Sequence, residues 1–282
     1  MLKNLIKDKV KIFRNLIKKI TRKSLKTLLP ENYLAKLGYN PKDFGLIDYT
    51  FPKGDSVLED IESKYGGSSE LGKLFASHKG CLIHKWHHYL PIYERYFASF
   101  KNKKNLKFLE IGVSKGGSLQ LWRNYFGDSA TIFGIDIDPN CKQYDGLHGK
   151  VRIGSQNDKG FLESVVNEMG GVDVVLDDGS HQMRHIKKSL DILFPHLSEN
   201  GIYFIEDLHT SYWKSHGGGY NSKDNFFNDT IIDIVNDLHR WYHMHSIKKP
   251  NISEFCSAIH IYDSIIILEK SQTFKPMVSK IS

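Results

Sequence analysis

The sequence has few cysteines and no long apolar run. Cys81, Cys141 and Cys256 are widely spaced and form no Cys-x-x-Cys pair, which argues against a disulfide framework and against a thiolate zinc site. No stretch reaches the roughly 18 uninterrupted apolar residues that span a bilayer. The N-terminus also lacks the uncharged apolar core and the cleavage site of a secretory signal. We therefore expect a cytoplasmic protein with reduced thiols.

Acidic residues are almost absent from residues 1–29. This segment holds ten Lys or Arg and one acid, Asp8, so it carries a local charge of +9, whereas the whole chain carries +7. The remaining residues therefore carry −2. Because a nucleic-acid binder spreads basic charge over the face that meets the phosphates, this balance argues against nucleic acid as a partner.

The apolar residues of this basic segment are spaced like one face of a helix. They are Leu2, Leu5, Ile6, Ile12, Phe13, Leu16, Ile17 and Ile20. We predict a basic amphipathic helix over residues 1–29, which is typical of contact with a membrane surface, here the inner face of the cytoplasmic membrane. Packing on a partner subunit, as in a homo-oligomer, is the alternative.

Composition divides the rest of the chain into segments. Prolines and glycines interrupt residues 30–60, which we interpret as an irregular linker or lid. Residues 61–104 are predicted to be a helical segment that precedes the core. Short β-branched runs alternate with helical patterns over residues 105–272, which predicts an α/β domain of right-handed βαβ units around a parallel sheet. Residues 273–282 form a tail.

The last two predicted strands differ from the others. Ala258–Tyr262 and Ile265–Glu269 are separated only by Asp263-Ser264. So short a connection predicts a hairpin, which places an antiparallel strand on the otherwise parallel sheet.

A glycine-rich turn, Glu110-Ile-Gly112-Val-Ser-Lys-Gly116-Gly117, follows the first predicted strand. Glycines let the backbone approach a ligand closely, and the helix that follows offers free N–H groups. The spacing is not Gly-x-Gly-x-x-Gly, which argues against a nicotinamide cofactor. Asp136 closes the second predicted strand, where it can accept hydrogen bonds from two ribose hydroxyls.

Carboxylates follow the fourth and fifth predicted strands. Asp178 follows one strand, and Glu206 and Asp207 follow the next. Neighbouring parallel strands lie about 4.8 Å apart, so these three acids can meet one ion and form an oxygen-rich half-shell suited to Mg²⁺. His181 lies three residues beyond Asp178, and a neutral imidazole is a competent base near physiological pH. Helix capping by the acids, with His181 bonded to a backbone carbonyl, is the alternative.

These features together resemble the class I S-adenosylmethionine-dependent methyltransferases. The resemblance implies a Rossmann-like fold with a mostly parallel seven-stranded sheet that ends in an antiparallel hairpin strand, and S-adenosylmethionine as cofactor. It assigns the methionine side, the ribose and the adenine of the cofactor to residues after the first three strands: Glu110, Gly112, Gly116, Asp136, Gln156 and Asn157.

Two motifs resemble a narrower family, the metal-dependent sugar O-methyltransferases of the macrocin and mycinamicin group. They are Asp178-Gly-Ser-His181, and Glu206-Asp207 followed by His209-Thr-Ser-Tyr-Trp213. The resemblance implies that Asp178, Glu206 and Asp207 hold Mg²⁺ and that His181 is the base. The candidate acceptor-binding residues are His88, Tyr89, His209, Tyr212 and Trp213 from the family's segments, and Gly217 from the glycine-rich loop His216–Tyr220, which we expect to lie over the site.

Upstream, Lys79-Gly80 followed by His84 and His88-Tyr89 is similar to a segment that precedes the domain in that family. Ser77-His78 stands where the family often shows Thr-Asp, so no role is assigned to that acid.

We therefore expect an enzyme that methylates a sugar hydroxyl, in cell-surface glycan or natural-product glycoside biosynthesis, on an acceptor that a lipid could carry. A catechol-type O-methyltransferase is one alternative, and a non-catalytic, membrane-tethered assembly subunit is another. An RNA methyltransferase is a further alternative, but amine-methylating enzymes usually present an Asn/Asp-Pro-Pro-aromatic turn where this chain has Asp177-Asp-Gly-Ser-His181.

Overall fold

The computed structural model describes residues 50–66, 69–245, 252 and 254–281. The helix predicted over residues 1–29 and most of the 30–60 segment lie outside the described residues. Within the described ranges, no helix is long and apolar enough to cross a membrane. The chain divides into two units, and the sheet with its helices belongs to the second, Ser56–Ser282.

Seven strands form one sheet in the order β3-β2-β1-β4-β5-β7-β6. Their bounds are β1 Lys107–Ile111, β2 Thr131–Asp136, β3 Lys150–Ile153, β4 Val172–Asp177, β5 Leu197–Ile205, β6 Cys256–Tyr262 and β7 Ile265–Lys270. Strands β1 to β5 pair in parallel, whereas β7 is antiparallel to both β5 and β6. This confirms the predicted Rossmann-like α/β class, including the C-terminal hairpin.

Helices precede the sheet and connect its strands. Their bounds are α1 Val57–Tyr65, α2 Glu70–Ala76, α3 Tyr89–Phe97, α4 Gly117–Phe126, α5 Lys159–Met169, α6 Met183–Leu193 and α7 Ile232–Leu238. Short 3-10 or π turns lie at Ala98–Phe100, Pro139–Tyr144, Phe194–His196, Leu208–Tyr212, Lys214–His216, Phe227–Ile231 and Arg240–Tyr242.

Two predicted boundaries are wrong. Helix α1 begins at Val57, inside the segment predicted to be irregular, because the Ser56 hydroxyl accepts the N–H of Glu59 and caps the helix. The helical pattern of the sequence predicts one helix over Met183–Leu197, but α6 ends at Leu193, since the ring of Pro195 cannot continue an α-helix.

The sheet separates two apolar cores. Leu109 and Ile111 face the core that holds α5 and α6, whereas Phe108 faces the core that holds α3 and α4. Trp122 of α4 and Tyr93 of α3 are fully buried on that second side. Because β1 has β2 on one side and β4 on the other, the strand order reverses there, and the loops at its carboxyl end open into a crevice.

Candidate active site

A cavity of about 220 Å³ opens at the carboxyl ends of β1, β4 and β5. Its walls come from the loop after β1, the segment before α3, and the loops after β4 and β5. Its lining includes Lys85, Trp86, Gly112, Asp178, His181, Glu206 and Asp207. The fold therefore brings together the three predicted metal ligands and the predicted base.

A second cavity, of about 160 Å³, lies beside the first at the ends of β2 and β3. Asp136 and Gln156 contribute polar groups to its lining, and Ile135 and Ile137 contribute apolar walls. Gly112 lines both cavities, so they adjoin at the glycine-rich turn.

Gly112 and Gly116 are required by the geometry of this turn. Gly112 has a φ of 99°, and a Cβ built on it would lie 2.0 Å from the carbonyl oxygen of Asp178. Gly116 also has a positive φ and packs against the ring of Tyr144, but it does not line the first cavity, whereas Gly117 does. Only glycine lets the turn after β1 approach the loop after β4 this closely.

Glu110 is absent from the lining of both cavities, which differs from the cofactor contact implied by the resemblance. It is fully buried, and its carboxylate accepts the Ser118 hydroxyl at 2.7 Å and the Trp122 indole N–H at 3.0 Å. Burial raises the pKa of Glu110 to about 7, although Lys85 and these two donors oppose the rise. Here Glu110 ties β1 to α4.

Asp136 lines the second cavity, as expected for a ribose-binding acid, but most of its carboxylate is already engaged. Oδ2 accepts the backbone N–H groups of Val113 and Ser114, and Oδ1 accepts that of Asp138, all at 2.9 Å. Burial would raise its pKa, but these three donors outweigh burial and hold the pKa of Asp136 below its usual value. The same carboxylate therefore shapes the turn after β1.

Gln156 is buried between the loops after β3 and β4. Its amide donates to both oxygens of Asp177, at 3.2 and 3.4 Å, and its carbonyl accepts the N–H of Ser180 at 2.7 Å. Asp177 also accepts the Ser189 hydroxyl at 2.6 Å, and burial raises the pKa of Asp177. Asn157 is absent from the lining of the second cavity, so of these two predicted residues only Gln156 reaches it.

Asp178, Glu206 and Asp207 form an acid cluster, and two of its oxygens, which accept no hydrogen bond from the described residues, lie toward His181. The Nε2 atom of His181 lies 3.8 Å from Asp178 Oδ1 and 3.6 Å from Asp207 Oδ2. One ligand atom from each of these three residues lies within 4.8 Å of the others. His181 and Asp207 both have left-handed backbone, with φ of 53° and 55°, a strained conformation for non-glycine residues that is typical of functional sites.

The ammonium group of Lys85 occupies the buried side of the cluster. Its Nζ lies 2.6 Å from Asp178 Oδ2, and 2.9 and 3.0 Å from the two oxygens of Glu206. Burial would lower the pKa of Lys85, but the charges of Asp178 and Glu206 outweigh burial and raise it, so the group stays charged. Lys85 is not among the predicted site residues, although it lies inside the upstream segment from Lys79 to Tyr89.

The predicted acceptor residues His88 and Tyr89 lie behind the acid cluster and do not line the first cavity. The Tyr89 hydroxyl donates to Asp207 Oδ1 at 2.7 Å, and the Trp86 indole N–H donates to the same oxygen at 3.1 Å. The ring of His88 packs 4.6 Å from that of Tyr89, and its buried Nε2 has no hydrogen-bond partner among the described atoms. Trp86, which was not predicted, does line the cavity.

The other four predicted acceptor residues lie farther out, beyond the lining of the first cavity. His209 Nδ1 is 2.7 Å from the Ser264 hydroxyl, and the Trp213 ring packs edge-on against His209 at 4.8 Å. Tyr212 is half exposed. Gly217, with a φ of 80°, ends the turn after Trp213, and an added Cβ there would meet nothing.

Comparisons with known proteins agree with this geometry. Residues 109–208 match the model of a methyltransferase domain family. This chain carries a methyltransferase domain. Its relatives are sugar O-methyltransferases of the macrocin, mycinamicin and tetracenomycin type.

Two curated relatives and one solved structure illustrate the similarity of the methyltransferase domain. The 8-demethyl-8-(2-methoxy-alpha-L-rhamnosyl)-tetracenomycin-C 3'-O-methyltransferase of Streptomyces olivaceus is 33% identical over 72% of this chain and 54% of its own length. Mycinamicin VI 2''-O-methyltransferase of Micromonospora griseorubida is 30% identical over 77% of this chain and 56% of its own. The structure of the MycE methyltransferase with Mg and SAH superposes with a TM-score of 0.62 at 28% identity, covering 77% of this chain and 55% of that one. The chain thus spans about half the length of the relatives that it matches.

Proposed function

We propose that this chain is an S-adenosylmethionine-dependent, Mg²⁺-assisted O-methyltransferase that acts on a hydroxyl of a sugar, in the biosynthesis of a natural-product glycoside. The observation that carries the proposal is the pair of free carboxylate oxygens, Asp178 Oδ1 and Asp207 Oδ2, that face His181 Nε2 across the first cavity. The relatives named above, which methylate sugars, support this choice of acceptor.

Asp178 and Asp207 fit a divalent cation. Ligand oxygens on one octahedral Mg²⁺ lie about 3 to 4 Å apart, and the free oxygens of the cluster face one gap of this scale. The cluster contains three carboxyl groups and one ammonium group, so its formal charge is −2, which one divalent ion would balance. Glu206, with both oxygens on Lys85, does not present a free ligand in this arrangement.

The two adjoining cavities fit the two ends of S-adenosylmethionine. The apolar walls at Ile135 and Ile137 suit a flat adenine ring, and Asp136 lies beside them, where a ribose hydroxyl can reach its second lone pair on Oδ1. In this assignment the methionine part extends past Gly112 into the first cavity, toward the acid cluster.

When bound, S-adenosylmethionine would supply an electrophilic methyl group, and Mg²⁺ would lower the pKa of a hydroxyl that contacts it. His181 Nε2 would take the proton of the acceptor hydroxyl. Asp178 and Asp207 would bind the ion and so keep the acceptor hydroxyl close to His181. Trp86 and Tyr89 keep Asp207 in place through its other oxygen, because both donate to Oδ1 and leave Oδ2 free.

Isothermal titration calorimetry with S-adenosylmethionine, followed by turnover of methyl α-L-rhamnoside and of catechol, tests the proposal. We expect cofactor binding, sugar methylation detected by mass spectrometry, and loss of turnover in EDTA that Mg²⁺ restores. Turnover of catechol alone would favour the catechol-type alternative. Absence of cofactor binding would favour the non-catalytic subunit, and full activity in EDTA would rule out the metal.

A more specific proposal concerns the molecule to which the acceptor sugar is attached. The charge of +9 on residues 1–29 supports contact with anionic lipid and, with it, an acceptor that is a lipid-linked sugar or a nascent cell-surface glycan. Flotation with vesicles of anionic lipid tests this contact. We expect the full chain to float with the vesicles and a chain without residues 1–29 to stay in the bottom fraction of the gradient. Equal partitioning of the two chains would contradict the proposal.

A further inference from the structure

Three aromatic side chains form a stack on the loops that follow β5. The ring centroid of Tyr212 lies 6.0 Å from that of Phe227 and 6.4 Å from that of Tyr220, with interplanar angles of 21° and 28°. Phe227 packs against the core that holds α5 and α6, whereas Tyr212 is 50% exposed and Tyr220 is 78% exposed. Adjoining aromatic rings that stay open to solvent mark a surface that binds another molecule. We call these three residues the aromatic platform.

The backbone beneath the platform is held in place although two of its rings are exposed. The side-chain amide of Asn225, which is buried, donates to the carbonyls of Ser211 and Gly219 at 3.0 and 3.2 Å. The N–H of Gly219 also donates to the Ser211 carbonyl, at 2.8 Å. The side-chain amide of Asn228 donates to the Tyr220 carbonyl at 3.1 Å. The loop is therefore pre-organised, which reduces the entropy that is lost when a ligand packs on the Tyr220 ring.

The platform lies just outside the proposed reaction centre. The five-residue 3-10 turn Leu208–Tyr212 begins directly after Asp207, and at a rise of about 2 Å per residue it carries Tyr212 roughly 10 Å from that acid. The loop that follows this turn returns to the proposed base, since the ring of His216 lies 6.5 Å from that of His181. One sugar ring is shorter than the span of the turn. A sugar whose hydroxyl meets His181 would therefore reach the platform only through the group attached to that sugar.

We propose that the aromatic platform binds the group attached to the anomeric carbon of the acceptor sugar, and that this group is a flat apolar ring system. The inference rests on the proposed function and narrows its substrate class to glycosides of such rings. Flat apolar rings pack on aromatic faces in offset stacks, and tyrosine offers a large contact area at a low cost in conformational entropy. The platform is thus a specificity-determining surface that selects the acceptor and takes no part in the transfer of the methyl group.

Kinetics with two acceptors that differ only in the attached group test the proposal on the full chain. They are methyl α-L-rhamnoside and 2-naphthyl α-L-rhamnoside. We expect the wild type to have a KM about tenfold lower for the naphthyl glycoside, because the naphthyl ring adds a stacking contact that the methyl group does not make. The two kcat values should agree within about twofold, since this contact is the same in the ground state and the transition state.

Substitution of Tyr220 tests whether the platform causes this preference. Tyr220→Ala removes a ring that is 78% exposed, so the fold should be kept, and we expect the preference for the naphthyl glycoside to shrink by about fivefold or more. Tyr220→Phe keeps the ring and should keep the preference. Tyr242→Ala, which removes a tyrosine that is 70% exposed in the turn after α7, is the matched control.

The outcomes separate this inference from the proposed function. If the wild type methylates neither glycoside, the proposed function is wrong, and the role of the platform is refuted with it. If the wild type methylates both with equal KM, the inference alone is overturned, and an acceptor held through a lipid-linked phosphate is favoured. A preference that survives in Tyr220→Ala, or that shrinks equally in Tyr242→Ala, would also overturn it.

Discussion

The two halves of the crevice hold acids at equivalent places, the ends of neighbouring parallel strands, yet their carboxylates differ in how fully the protein engages them. On the β1–β2 side, Glu110 accepts two side-chain donors and Asp136 accepts three backbone N–H groups. On the β4–β5 side, Asp178 and Asp207 each keep one oxygen that faces His181 at 3.6 to 3.8 Å.

This difference distinguishes carboxylates that hold loops together from carboxylates that can bind an ion. A carboxylate whose lone pairs are occupied by protein donors holds loops together and has little left for a ligand. A carboxylate with a free oxygen beside another acid repels its neighbour until a cation arrives. Substitution of an acid on the β1–β2 side should therefore reduce fold stability or cofactor binding. Substitution of an acid on the β4–β5 side should reduce ion binding and turnover.

The largest effect is expected at His181. His181→Asn removes the proposed base while leaving Asp178 and Asp207 in place, so kcat should fall by about 10² to 10⁴, the usual contribution of a general base. Steady-state kinetics measures this loss, and calorimetry should show that Mg²⁺ still binds. His196→Asn, on the turn before β5, is the control. A kcat within threefold of the wild type, with the fold retained, would exclude His181 as the base.

Glu110 should give the largest effect on stability. Its pKa is 4.5 in the unfolded chain and about 7 in the folded one, so the unfolded chain loses the proton first as the pH rises. Glu110 should therefore lower the free energy of unfolding of the wild type by about 3 kcal/mol between pH 4.5 and 7 and add no further change above that range. Urea unfolding at pH 5 and pH 7.5 measures the difference.

Glu110→Gln should lose this contribution to the pH dependence, because the amide does not titrate and can still pair with Ser118 and Trp122. Glu59→Gln, on the exposed start of α1, should keep it. A Gln variant with the same slope as the wild type would show that Glu110 is already ionised in the folded protein.

The next largest effect is expected for a substitution of Asp207, on the affinity of the site for the divalent ion. In Asp207→Asn the remaining oxygen can still accept from Trp86 and Tyr89, but the amide nitrogen replaces the free Oδ2. Loss of a supporting hydrogen bond to a ligand typically weakens metal binding 10- to 100-fold, and loss of the ligand oxygen should cost at least about 100-fold. Mn²⁺ titration measures this, while the melting temperature should change little. Equal ion affinity in the variant would place the ion elsewhere.

Asp136 should give the smallest effect. Asp136→Asn replaces one acceptor by an amide that cannot accept the N–H groups of the turn after β1, so S-adenosylmethionine should bind about tenfold more weakly, at the typical cost of a lost charged hydrogen bond. Calorimetry with the cofactor measures this, and Mn²⁺ affinity should stay the same. Asp128→Asn, in an exposed turn, is the control. If Mn²⁺ binding weakened instead, the two halves of the crevice would not be separable as described above.

Much of the fold was predictable because it follows from local pattern. Alternating β-branched runs and helical segments gave the parallel strands, and the short Asp263-Ser264 connection gave the hairpin. The meeting of Asp178 with Glu206 and Asp207 was predictable for the same reason, since adjacent parallel strands end at one edge. The roles of these acids and of His181 stay predictions until the variants above are measured.

Contacts between segments far apart in the sequence were not predictable in this way. Lys85 reaches Asp178 across 93 residues and Glu206 across 121, and no local periodicity records that packing. The direction of Glu110 was also hidden, because its neighbours Ser118 and Trp122 become partners only when α4 folds back on β1. Strand position fixed where these acids lie, and tertiary packing decided which of their oxygens stay free.

The hairpin turn between β6 and β7 reaches the site from the far end of the chain. The Ser264 carbonyl accepts the N–H of Leu208, and its hydroxyl accepts that of His209 at 3.1 Å and lies 2.7 Å from the ring Nδ1 of that histidine. The loop that leaves Asp207 is thus anchored by a residue more than fifty positions later. A chain shortened before residue 264 would keep every acid of the cluster but lose the contacts that fix the loop after Asp207. We therefore expect the crevice to be complete only once the final hairpin has docked on β5.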